Sequence, residues 1–110
     1  VTAAELNRAA ARCERLANHH AREACSLAGH AVFLDPDGET PEAAALIARA
    51  LREERRETDL LELARAFRAR ATALDHTRRR TRSLLAVVQG PALHPAAADV
   101  PRPVRQAVQT

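Results

Sequence analysis

Between Leu6 and Leu34 the chain repeats a side-chain pattern in alternating steps of four and three residues: Leu6, Ala10, Cys13, Ala17, His20, Ala24, Leu27, Ala31, Leu34. A strand cannot use such spacing, because it sends every third residue to the opposite face. An α-helix can. The alternation keeps one stripe turned toward a partner helix along its whole length, as in a coiled coil. One line of the stripe is alanine, at 10, 17, 24 and 31, and the other carries larger groups. Alanine lines let two helix backbones approach closely.

The start and end of this helix are also written locally. Thr2 with Glu5 three residues on is a capping box. Gly29 costs about 1 kcal/mol in a helix interior, so the last turn is expected to fray. Asp35-Pro36-Asp37-Gly38-Glu39 then reads as a turn, since proline cannot continue the helix and Gly38 supplies positive φ. Thr40 is the next cap, with Pro41 at the favoured first position and Glu42 in the first turn.

A second stripe follows at 43, 46, 50, 53, 57, 60, 64, 67, 71, 74, 78, 81, 85 and 88. Gln89-Gly90-Pro91 is expected to end it. A break is expected, if anywhere, at Thr58-Asp59, where Asp59 and Glu62 form another capping box. The remainder holds four of the six prolines, at 91, 95, 101 and 103. Residues 1–89 therefore read as a helical domain and 90–110 as a Pro-rich flexible tail.

Two long helices and a short turn predict an all-α fold, a long antiparallel helical hairpin. Folding about residues 37–38 pairs positions whose numbers sum to about 75. With 110 residues, 26 of them alanine, such a hairpin buries little large apolar surface. Leu16, Ile47, Leu51, Leu61, Leu63 and Leu84 fall off the stripe and need another surface. The second helix also outruns the first by residues 74–89, about 24 Å of helix. A homodimer forming a four-helix bundle covers both; a three-helix bundle, broken near Thr58-Asp59, is the alternative.

Charge is divided along the chain. Residues 1–62 hold 8 Arg and 12 acids, whereas 63–110 hold 9 Arg and only Asp75 and Asp99. The net +3 hides that asymmetry. Arg65, Arg68, Arg79 and Arg82 share roughly a 100° arc of the helix, and Arg78 and Arg80 complete the cluster. These six residues are the candidate partner- or phosphate-binding set. Base readout usually draws on Asn, Gln or aromatic residues beside the Arg, and this region has none. Contact with nucleic acid would be to the phosphate backbone. The bland alternative is a solvated face, or one that complements the acidic half of a second subunit.

Signals for chemistry are sparse. His20 lies on the stripe opposite residues 54–57, so Glu54 or Glu57 is the expected partner, either as a register-setting hydrogen bond or as a pair of metal ligands in a bundle. Arg70 and His76, with five residues between them, match the spacing of the ribonuclease motif in HEPN-type helical domains. In such a site the Arg steadies phosphate charge and the His moves a proton, the two motifs being paired across a dimer. Here Ala71 stands where a polar residue is expected. Cys13 and Cys25 are about 18 Å apart along one helix, too far for a disulfide. No phosphate loop, Ser-His-Asp order or CxxC is present, and no cofactor is implied. No apolar run approaches a membrane span, and no leader layout interrupts the first helix, so the cytoplasm is the expected compartment. Together these features point to a non-enzymatic, self-associating adaptor whose Arg-rich C-terminal half meets a partner. A nucleic-acid-associated protein, and a small metal-binding or HEPN-like helical enzyme, are the alternatives.

Overall fold

A computed structural model describes the backbone of residues 1–93 and the side chains of residues 1–89. Two helices make up nearly all of it: α1, Ala3–Leu34, and α2, Pro41–Leu93. The chain divides into two compact units, one covering Val1–Leu74 and one beginning at Asp75.

In the first unit the local signals act as expected. Thr2 Oγ1 accepts from the Glu5 amide at 3.1 Å, and Glu5 Oε1 accepts from the Thr2 amide at 2.8 Å. Two backbone donors at the helix start, the Thr2 and Glu5 amides, are thus satisfied reciprocally. α1 does not fray after Gly29. It holds to Leu34 because Ala31 is buried and its carbonyl accepts from the Asp35 amide at 2.9 Å.

Asp35 also builds the turn. Its carboxylate accepts from the amides of Asp37, Glu39 and Thr40 at 2.8–3.1 Å, and its carbonyl accepts from Gly38. Those backbone bonds hold its acidity below the usual range, with the bond from Thr40 contributing most. Gly38 takes φ +68°, which L-residues adopt only at a cost. Thr40 Oγ1 then accepts from the Ala43 amide and opens α2.

The stripe read from the sequence is the seam between α1 and α2. Ala3, Leu6 and Ala71 form one buried cluster with Phe67 against it; Ala10, Cys13 and Ala64 form a second, with Leu60 and Phe67. Contacts that run from Leu6 with Ala71 to Cys13 with Ala64 require antiparallel helices. Numbers that meet across the seam sum to 74, as for Ala10 with Ala64, or to 77, as for Leu6 with Ala71. Ala17, Ala24, Ala31, Ala43 and Ala50 continue the buried line toward the turn. Small residues dominate this core. Among the described residues Leu6 is its one large member, and no large side chain there is fully buried.

Two sequence expectations need correction. α2 runs unbroken through Thr58-Asp59, so the three-helix alternative does not hold at that point. Glu57 and Leu60 on either side stay half-buried in the same seam, and a capping box cannot open a new helix where packing keeps the old one in phase. α2 also passes Gly90-Pro91 and reaches Leu93. Pro91 removes one backbone donor, and a single lost bond near a helix end does not unwind the turn around it. The rest of the expected tail, residues 94–110, lies outside the described residues.

Candidate interaction surface

The second unit supplies the longest uncovered stretch among the described residues. From His76 to Gln89 every residue is exposed. Arg78, Arg79, Arg80 and Arg82 precede Leu84, Leu85, Val87 and Val88, and the two valines are 73% and 75% exposed. Among the described residues none of these arginines is in an ion pair. At 100° per residue the four apolar side chains fall within roughly 160° of the helix circumference, which makes this stretch amphipathic.

The other members of the candidate arginine set belong to the first unit. Arg65 is exposed. Arg68 is already engaged: its Nε and Nη2 donate to the two oxygens of Glu14 at 3.0 and 2.7 Å, a fork-to-fork pair. Arg68 therefore departs from the expectation that it serves an external partner. Glu14 follows Cys13 and Arg68 follows Phe67, so both flank the seam on one side of the hairpin. That shared flank and opposite charge were the signal available in the sequence. Hydrogen bonding from Arg68 holds the Glu14 carboxyl below its ordinary range and raises the guanidinium further.

His20 meets neither Glu54 nor Glu57. Its Nδ1 lies 2.8 Å from Glu53 Oε1, and Arg56 Nη1 donates to Glu53 Oε2 at 2.8 Å. An ionised carboxylate only accepts, so the ring proton of this bond sits on Nδ1. Glu53 is held below the usual carboxylate range, chiefly by the bond from His20, against an opposing effect of burial, with the nearby Arg56 charge adding a smaller pull in the same direction as His20. The numbers 20 and 53 sum to 73, one short of the 74 of Ala10 with Ala64, so the register of that part of the seam already brings Glu53 to His20. Glu54 sits about 100° off the seam and is exposed; Glu57 stays half-buried on it.

Among the described residues no three His, Cys, Asp or Glu side chains gather as a metal site. The His20–Glu53 bond ties α1 to α2 across the seam. Arg70 and His76 are both exposed and fall in different units, Arg70 in the first and His76 in the second. Cys13 is buried, Cys25 is exposed, and both are free. One open hollow of about 470 Å³, bordered by Leu51, Arg52, Arg55 and Arg56, lies on the outer side of α2. No helix among the described residues is long and apolar enough to cross a membrane.

Sequence reasoning missed the apolar end of α1. Val32, Phe33 and Leu34 are exposed, Phe33 at 84%. The available signal was that one of only two phenylalanines in the chain falls off the seam, next to a turn. Comparison with known proteins finds no matching family model, curated relative or solved structure.

Proposed function

We propose that this chain is a non-enzymatic helical interaction module that self-associates and engages a partner through its Arg-rich C-terminal half. One observation carries the reading: among the described residues the hairpin buries mostly alanines and leaves many large apolar groups exposed. Leu6 is the one large side chain buried there, Phe67 and Leu60 pack half-buried against the core, and Leu16, Leu51, Leu63, Leu84, Val87 and others remain exposed. Alanine burial contributes little free energy at about 25 cal/mol per Å² of apolar area. Exposed leucines and valines on this scale favour association. A homodimer in which two hairpins form a four-helix bundle covers the flanking leucines.

The test is molar mass in solution by light scattering across nanomolar to micromolar protein. A concentration-dependent rise to twice 12.0 kDa is expected. A monomer throughout refutes the reading. Phosphate tracking on nucleic acid is the rival use of Arg78–Arg82, favoured by the exposure of all four arginines. With no Trp or Tyr the chain barely absorbs at 280 nm, so an absorbance peak near 260 nm that is lost in high salt would support it.

A further inference from the structure

We infer that the partner met by the Arg-rich segment is the hairpin turn of a second copy of this chain. The inference rests on the interaction-module reading and names its partner. Two exposed apolar surfaces carry it. The first is the α2 face formed by Leu84, Leu85, Val87 and Val88, which follows the cations Arg78, Arg79, Arg80 and Arg82. The second is Val32-Phe33-Leu34 at the end of α1, which precedes the exposed anions Asp37, Glu39 and Glu42. Read from N to C, one surface is basic then apolar and the other apolar then acidic. Laid antiparallel, they match in both properties.

Electrostatics selects this occupant over an arbitrary apolar partner. Between His30 and Arg49 the chain has no basic residue, and it carries Asp35, Asp37, Glu39 and Glu42 there. α1 also ends with no basic side chain in its last turn. The negative end of its helix dipole is left without the cation that usually offsets it. Among the described residues the three ion pairs involve none of Asp37, Glu39, Glu42 or the four segment arginines. Each charge set thus has no ion-pair partner among the described residues and finds a complement in another copy. Asp35 is committed to the turn and is not counted.

A charge-swap experiment on the full chain tests this. One variant carries Arg78→Glu, Arg79→Glu, Arg80→Glu and Arg82→Glu; the other carries Asp37→Arg, Glu39→Arg and Glu42→Arg. Helicity by circular dichroism confirms that each remains folded, and light scattering reads association. Each variant alone is expected to associate at least about tenfold more weakly than the wild type, and an equimolar mixture to recover, because like charges now face each other only in the homotypic pairs. A second variant, Leu85→Ser with Val88→Ser, is expected to weaken association without recovery by mixing. The inference is overturned if either charge variant associates as the wild type does, or if mixing restores nothing. It is overturned equally if the Arg-to-Glu variant keeps wild-type mass while losing bound nucleic acid. In those cases a dimeric wild type leaves the interaction-module reading standing, whereas a monomeric wild type removes both.

Discussion

Leu6→Ala isolates the one large side chain in the core. Leu6 is 5% exposed and packs with Ala3, Ala71 and Phe67. The substitution removes three carbon atoms from an almost dry site, about 2.4 kcal/mol at about 0.8 kcal/mol per buried methylene. A cavity contribution adds to this. The expected total is about 2.5–3.5 kcal/mol. Leu16→Ala removes the same atoms from a side chain that is 52% exposed and opens no cavity, so about 1 kcal/mol or less is expected. The assay is urea unfolding followed by circular dichroism at the helix band, since the chain has no Trp. All samples share one protomer concentration, because self-association shifts the midpoint by mass action. A Leu6→Ala chain already unfolded without urea, beside a folded Leu16→Ala chain, gives the same ranking. If the two variants differ by less than about 0.5 kcal/mol, the seam is not where the stability resides, and the packing argument fails.

Two glycines should respond with opposite signs. Gly29→Ala should stabilise by about 0.5–1 kcal/mol, since it sits inside a helix and an added Cβ meets nothing within 4 Å. Gly38→Ala should destabilise by about 1 kcal/mol, because φ is +68° and the Cβ would lie 3.1 Å from Ile47 Cδ1; both are read in the same urea titration. Thr2→Ala should cost about 1 kcal/mol by removing the capping-box acceptor, measured as a lower melting temperature. Glu5, Glu14, Asp35 and Glu53 all ionise more readily in the folded chain than ordinary carboxyls do. Each depressed folded value contributes stability that is present above the unfolded pKa and lost as pH falls through the folded one. The melting temperature should therefore hold near neutrality and drop below about pH 4, and a melting temperature that rises on acidification would contradict the pairings.

Much of the fold was legible because its causes are local. Thr2 and Thr40 act on amides three residues away and Gly38 through its own backbone, and the four-three spacing forces a helix with one stripe whatever the partner. That is why seam positions from Leu6 to Ala31 and from Ala43 to Ala71 lie buried or half-buried as expected. The candidate site was less legible. The six candidate arginines looked alike in sequence, yet Arg68 is held by Glu14 and the four from Arg78 to Arg82 are not paired within the described chain.

The sequence by itself determined two helices, their caps, the turn between them and the stripe on which they meet. Only the tertiary structure decided that α2 stays whole through Thr58-Asp59, that His20 takes Glu53, and that Phe33 is left bare at the turn. Backbone periodicity is set within a few residues of each position. Which side chain reaches which depends on the register across the seam, and only the packed helices show that His20 meets Glu53 rather than Glu54 or Glu57.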